Sequence, residues 1–141
     1  MQTNLRPFHL AIPVDDVAKN RIFYRDVLGC SEGRSSDHWV DFNLFGHQLV
    51  IHHKETSQAK EVSNAVDGKE VPVPHFGVVL DMVTFWELSD QLKNKGIDFI
   101  IEPYIRFEGQ TGEQATMFFK DPAGNALEFK AFKNIDQLFA T

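Results

Sequence analysis

The sequence has a single cysteine, Cys30, among 141 residues. One thiol cannot form an intramolecular disulfide, and it cannot supply the several cysteines of a structural zinc site. A metal bound by this chain would therefore take nitrogen and oxygen ligands, and the low cysteine content suits a reducing compartment.

Long apolar segments are also missing. The sequence contains no run of about 18 apolar residues, and its start, MQTNLRPFHLAIPVDD, has no apolar stretch of signal-peptide length. We therefore expect a soluble, cytoplasmic protein without a membrane partner.

Positive charge is in deficit, with 14 Lys and Arg against 20 Asp and Glu and a net charge of −6. Nucleic acids and anionic membranes require a basic surface, so both are disfavoured as partners. The chain also lacks a phosphate loop, a nucleophile elbow and a CxxC pair, which gives no support to nucleotide-dependent or covalent mechanisms. Small neutral or cationic ligands, or a metal ion, remain as the expected ligands.

The pattern of apolar residues repeats once along the chain. Each half reads as a strand, a helix and further strands: the first half as βαβ(β)β, with one strand left open, and the second as βαβββ. The predicted strands are 7–14, 38–45, 47–53, 75–81, IDFIIEP, ATMFFK and ALEFKAF, and the helices follow Asp15/Asp16 and Asp81. His9 lies six residues before Asp15 and His75 six before Asp81, so a single offset of 66 (75 − 9) relates the two halves.

The length of the chain and the repeated pattern predict one domain, 1–141, with a first module at about 5–55 and a second at about 74–135. The polar segment between them, at about 56–73, ends near Pro72 and Pro74 and is interpreted as a linker.

Two stretches, HLAIPVDDVAKNRIFYRDVLGC and FFKDPAGNALEFKAF, together with HFGVVLD, resemble the vicinal oxygen chelate superfamily of glyoxalases, extradiol dioxygenases, and fosfomycin- and bleomycin-resistance proteins. The resemblance implies an α+β fold in which two βαβββ modules form a half-open barrel with a ligand cup. It also implies a divalent metal bound by His9 on the first strand, His75 on the fifth and Glu128 on the eighth, with a fourth place on the strand HQLVIHH.

Strand alternation provides a separate check of these positions. His9 is out of phase with Leu10 and Ile12, and Glu128 is out of phase with Leu127 and Phe129. The same holds for His75 against Phe76, Val78 and Leu80. All three side chains are therefore expected on the strand faces turned away from the helices.

In HQLVIHH, alternation separates the three histidines. His52 shares a face with Gln48, whereas His53 and His47 share the other face with Leu49. His52 is therefore predicted as the fourth ligand and, with Glu128, as a catalytic residue, and His47 is predicted to be a turn residue. Two histidines and a carboxylate suit Fe(II), and a fourth ligand would also suit Zn, Ni, Mn or Co. The alternative for Glu128 is an ion pair with Lys130 or Lys120.

The stretch 104–119, read as a loop, supplies the predicted substrate-binding residues Tyr104, Arg106, Glu113 and Gln114. Arg106 can hold a carboxylate with two hydrogen bonds. A loop arginine paired with Glu108 or Glu113 is the alternative.

Together these features predict a metal-dependent small-molecule enzyme, either a glyoxalase-like lyase or isomerase or a dioxygenase-like protein. Two alternatives stay open: a metal-free binding protein of the bleomycin-resistance type, and a module that uses the cup for a partner. The resemblance further implies a homodimer, with a site completed within one chain or across two.

Overall fold

A computed structural model of the chain describes residues 5–55 and 62–141. The chain divides into two compact units, Met1–Ala59 and Lys60–Thr141. The strands are β1 (His9–Val14), β2 (Ser31–Ser35), β3 (Trp39–Leu44), β4 (His47–His53), β5 (Val62–Val66), β6 (Lys69–Val73), β7 (His75–Phe76), β8 (Val79–Leu80), β9 (Phe99–Arg106), β10 (Gln114–Lys120) and β11 (Ala126–Phe132). The helices are α1 (Val17–Ile22, continued as a π-helix over Phe23–Val27), α2 (Met82–Asn94) and a 3₁₀ turn at Ile135–Gln137. Within the described ranges no helix is long and apolar enough to cross a membrane.

The first unit is a four-stranded sheet in the order β1-β4-β3-β2, with β1 and β4 parallel and the other pairs antiparallel. Asp16 begins α1, because its carboxylate accepts a hydrogen bond from the Lys19 backbone amide at 3.0 Å. The helix packs on β3 and β4, and the largest fully buried side chains of this unit are Tyr24, Phe42, Leu49 and Ile51. The strand β2 was not predicted, because its residues, SEGRS, are all exposed and show no apolar alternation.

The second unit repeats this plan, with β7 and β8 on one side of β11, followed by β10 and β9. The helix α2 packs on β10 and β11, over a core that includes Phe85, Phe119 and Phe129. The predicted single strand at 75–81 is broken into β7 and β8 at Gly77, which lies against the backbone of Glu128. Both units thus carry βαβββ in open sheets, and the predicted α+β class is confirmed.

The segment interpreted as a linker contains an antiparallel hairpin of β5 and β6. Its two-residue turn, Asp67-Gly68, has positive φ at both positions (52° and 72°). Asp-Gly between two strands is a strong hairpin signal, because Gly and Asp tolerate this left-handed backbone. The interpretation as a linker was therefore wrong over 62–73, and its remaining part, 56–61, lies outside the described residues.

The hairpin and the sheet share an apolar cluster. Val71 is buried with Ile101 of β9 and Phe118 of β10, and Val66 and Tyr104 pack against them. Because α2 packs on β10 as well, this strand is buried along its length from Gln114 to Phe119.

The predicted loop 104–119 is shorter than expected, since β9 continues to Arg106 and β10 begins at Gln114. Thr116 pairs with Tyr104, whereas Phe118 pairs with Ile101, so β9 holds an extra residue at this point. Such a bulge reverses the alternation of the strand. It explains why Ile101 and Tyr104, three residues apart, both join the cluster against the hairpin.

Candidate metal centre and anion-binding residues

His75 and Glu128 meet on the face of the second sheet opposite α2. His75 begins β7 and pairs in register with Ala126 of β11, two residues before Glu128. The predicted sharing of a face is thus confirmed, and His75 Nε2 lies 2.9 Å from Glu128 Oε2. The two side chains are 29% and 12% exposed.

The hydrogen bonds of His75 determine what this contact requires. Its Nδ1 lies 2.7 Å from the carbonyl oxygen of Pro72, so Nδ1 must carry the proton that is donated. A neutral ring then presents only a lone pair at Nε2, facing a carboxylate oxygen. Two acceptors at this distance repel unless a proton on the ring or a cation lies between them.

A divalent cation fits this donor set. Two ligand atoms about 2.1 Å from an octahedral ion and at right angles to each other lie about 3 Å apart, close to the His75–Glu128 separation. A backbone carbonyl on the other ring nitrogen is the usual support of a metal-binding histidine, because it fixes the tautomer and the ring orientation.

Glu128 is held by two further groups. The buried Thr116 hydroxyl donates to Glu128 Oε1 at 2.8 Å, which leaves Oε2 directed at His75. Lys130 Nζ lies 3.6 Å from Oε1, so the ion pair expected as the alternative for Glu128 is present. The negative charge of Glu128 is therefore compensated at Oε1, whereas Oε2 faces His75.

In the first unit, His9 has Gln48 as its neighbour. The register pairs these two residues, and His9 Nδ1 lies 2.8 Å from Gln48 Oε1. With Nδ1 donating to the amide oxygen, Nε2 of His9 is left as a free acceptor, the same arrangement that Pro72 imposes on His75.

His52 lies on the same face as His9 but four residues farther along, because its register partner on β1 is Pro13. Four residues of strand span about 13 Å. The β4 residue beside His9 is thus Gln48, and the prediction of His52 as a ligand together with His9 does not fit this register. Alternation along a strand gives the face of a side chain and does not give its position along the strand.

The other two histidines of β4 have structural contacts. His47 accepts a hydrogen bond from the Phe8 backbone amide through Nδ1, at 2.8 Å. His53 is exposed, and its ring centroid lies 6.3 Å from that of His38.

Tyr104 and Arg106, predicted as substrate-binding residues, converge on Asp67 at the tip of the hairpin. Asp67 Oδ2 accepts from the Tyr104 hydroxyl at 3.0 Å and from Arg106 Nε at 2.5 Å. Lys69 Nζ stands 4.4 Å above the Tyr104 ring. Arg106 therefore pairs with neither of the glutamates that were considered for it.

These contacts shift two pKa values. The hydrogen bonds from Arg106 and then Tyr104 hold the pKa of Asp67 below its usual range. Partial burial, followed by the hydrogen bond to Asp67, raises the pKa of Tyr104. Asp67 is thus an anion held by two donors of β9.

The remaining predicted substrate residues lie at the end of the sheet. Glu113 accepts from the Gly109 amide at 2.7 Å and lies 4.0 Å from Lys133 Nζ. Gln114 pairs in register with Arg106, is 7% exposed and donates through Nε2 to the Gly112 carbonyl at 3.2 Å. Its Oε1 is buried without a hydrogen-bond partner in the structure as described.

Among residues 5–55 and 62–141, no group of three or more His, Cys, Asp or Glu side chains is arranged to hold a metal ion. Cys30 is buried, which raises its pKa to about 12 and keeps it a neutral thiol. Sequence reasoning missed Gln48, Thr116 and Asp67. The Asp67-Gly68 turn signal and the position of Gln48 two residues from Val50 on the predicted face were both available in the sequence.

Comparison with known proteins agrees with this architecture. A family model for the Glyoxalase/Bleomycin resistance protein/Dioxygenase superfamily matches residues 6–129, and the chain belongs to this superfamily.

Particular relatives are similar over nearly the whole chain. A crystal structure of a glyoxalase/bleomycin resistance protein/dioxygenase from Alicyclobacillus acidocaldarius is 33% identical, with a TM-score of 0.80 and coverage of 99% of this chain and 100% of that one. The virulence protein STM3117 of Salmonella typhimurium is 26% identical over 128 residues, which cover 88% of this chain and 82% of that protein. The lactoylglutathione lyase structure from Agrobacterium tumefaciens shares the fold, with 20% identity, a TM-score of 0.66 and coverage of 99% and 100%.

Proposed function

We propose that the protein is a metal-dependent enzyme acting on a small molecule, with His75 and Glu128 as metal ligands. The observation that carries the proposal is the contact between His75 Nε2 and Glu128 Oε2, at 2.9 Å, while Nδ1 donates to Pro72. His9 of the first unit, whose Nδ1 is likewise engaged, is also proposed as a metal ligand, on the resemblance to the superfamily. At the proposed ligand position on β4, the register between β1 and β4 favours Gln48 over His52, because Gln48 is the residue paired with His9.

When bound, a divalent cation supplies Lewis-acid activation of substrate oxygens. Other residues of the chain orient the proposed ligands His75 and Glu128. Pro72 fixes the tautomer of His75, Thr116 donates a hydrogen bond to one oxygen of Glu128, and Lys130 places a positive charge beside the same oxygen. The reaction proposed is glyoxalase-like isomerase or lyase chemistry, or dioxygenase-like ring cleavage.

The test is the metal content of protein purified without chelator, measured by inductively coupled plasma mass spectrometry. We expect stoichiometric metal in the wild type and loss of most of it in His75→Ala and Glu128→Gln. His53→Ala, an exposed histidine of β4, serves as the matched control and should keep its metal. Gln48→Ala should lower the occupancy, whereas His52→Ala should not.

Absence of metal from the wild type after reconstitution with Fe, Zn, Ni, Mn and Co would refute the proposal. Metal-loaded protein would then be assayed with thiohemiacetals of 2-oxoaldehydes and with catechols, the latter with and without ferrous iron. Turnover of the first group identifies a lyase or isomerase, and turnover of the second identifies a dioxygenase.

A second candidate function is metal-free binding of a small ligand. It is favoured by Lys130, which compensates Glu128 without any metal. If this function is correct, the wild type binds no metal, and its affinity for its ligand is unchanged by chelator and by His75→Ala.

A further inference from the structure

Asp67 accepts hydrogen bonds from side chains that belong to a different element of the fold. The donors, Tyr104 and Arg106, are on β9, whereas Asp67 is on the two-residue turn between β5 and β6. The Asp67 side chain is 37% exposed, and that of Arg106 is 19% exposed. The anion is therefore the more solvent-accessible member of the pair, and the donors are the ones anchored in the sheet.

A guanidinium, a phenol hydroxyl and a nearby ammonium form a binding arrangement for a carboxylate or phosphonate. Lys69, above the Tyr104 ring, adds positive charge near the same point. Exchanging the Asp67 carboxylate for that of a ligand replaces one charge-assisted hydrogen bond with another. The exchange therefore costs the ordering of the ligand and the release of a tethered carboxylate of the same charge, and Asp67→Asn removes the second of these costs.

These donors lie at a defined distance from the proposed metal ligands. Tyr104 pairs with Thr116 of β10, and the Thr116 hydroxyl contacts Glu128 of β11. Two strand spacings, about 10 Å, separate β11 from β9. The register also sets Tyr104 two residues and Arg106 four residues farther along the strands than Glu128, so one molecule would need an oxygen donor and an oxyanion more than about 10 Å apart to reach both places.

Gln114 adds an independent observation. Its buried Oε1 has no hydrogen-bond partner in the described part of the chain, although its backbone pairs with that of Arg106. An unpaired buried acceptor costs about 1–3 kcal/mol. A ligand hydroxyl or amide N–H next to the oxyanion would remove this cost.

We propose that Tyr104 and Arg106 form an oxyanion subsite for a carboxylate or phosphonate, and that Asp67 is a tethered occupant displaced by the ligand. The substrate class is thus a small organic acid. The link to turnover rests on the proposed function, whereas oxyanion binding itself does not.

The experiment measures binding of two probes, benzoate and phenylphosphonate, by isothermal titration calorimetry in the presence of chelator. Asp67→Asn keeps the turn, because Asn-Gly is favoured there, and removes the competing charge. We expect Asp67→Asn to lower Kd by about tenfold or more relative to wild type for at least one probe.

Glu70→Gln is the matched control. Glu70 lies on the same hairpin and accepts a hydrogen bond from the Ser63 hydroxyl, so its substitution removes the same charge without touching Arg106. It should leave Kd unchanged. Adding Arg106→Gln or Tyr104→Phe to Asp67→Asn should abolish the gain, and circular dichroism establishes that each variant is folded.

Equal gains in Asp67→Asn and Glu70→Gln would overturn the proposal, because net charge alone would then explain binding. A gain that survives in both double variants would also overturn it. Because the probes are tested with chelator and again in His75→Ala, failure here is distinguishable from failure of the metal proposal, which is decided by metal content.

Discussion

Glu128 illustrates how much of a site depends on single atoms. Its two carboxylate oxygens have different partners: Thr116 and Lys130 on Oε1, and His75 on Oε2. Because Pro72 fixes the proton of His75 on Nδ1, the remaining nitrogen can only accept unless the ring is charged. The chemistry proposed for the protein depends on which of these atoms is left without a proton.

Gly77 is the residue that lets β7 and β11 approach each other at this site. A Cβ at position 77 would lie 1.5 Å from the carbonyl oxygen of Glu128, a contact that only backbone movement can relieve. We expect Gly77→Ala to lower the free energy of unfolding by at least about 3 kcal/mol. Urea denaturation measures the effect.

Gly33→Ala in β2 is the comparison for this prediction. Its Cβ would stand 3.2 Å from the Asp41 Cβ, so a small shift accommodates it, and we expect a loss below about 1 kcal/mol. Equal losses in the two variants would mean that the approach to Glu128 is not the cause.

The hairpin of β5 and β6 is the element that distinguishes the described structure most from the expected one. It covers part of the β9–β10 sheet through Val71 and carries Asp67 to the donors of β9. The bulge in β9 contributes to the same contact, because it places Tyr104 on the face against the hairpin. One hairpin and one bulge together create the proposed oxyanion subsite.

The hairpin contact should depend on pH through Asp67. Its pKa is lowered in the folded state by Arg106 and Tyr104, so the contact stabilises fully above the unfolded value, 3.8, and is lost as pH falls through the folded value. We expect wild type to be more stable than Asp67→Asn at pH 7, with the difference vanishing in strong acid. Thermal unfolding between pH 7 and pH 2.5 measures it, and a difference that persists undiminished at the acid end would contradict this account.

At the level of the whole chain, the βαβββ plan occurs twice, with a histidine at the first position of β1 and of β7. Members of this superfamily are commonly dimeric and bind small molecules. Leu5 and Phe8, which precede β1, are exposed apolar residues in the single chain.

We expect this chain to form a homodimer. Sedimentation velocity over a range of concentrations should give about twice the chain mass of 16.1 kDa. A mass of one chain at every concentration would contradict the expectation.

Local patterns in the sequence were sufficient for most of the architecture. The alternation around His75 and Glu128, the Asp caps of both helices and the repeat all follow from short-range rules, and the structure agrees with them. The Asp67-Gly68 turn is an equally local signal for the hairpin, whereas the polar composition of the surrounding segment is typical of a linker.

Other features depend on which strands meet. Alternation fixes the face on which a side chain lies, because neighbouring residues of a strand point to opposite sides. It does not fix the register between strands, so His52 was predicted where Gln48 lies beside His9. The bulge that turns Tyr104 towards the hairpin, and the pairing of Arg106 with Asp67, 39 residues away in sequence, likewise arise from long-range packing. Such contacts are set by burial against partners distant in the chain, which no local pattern specifies.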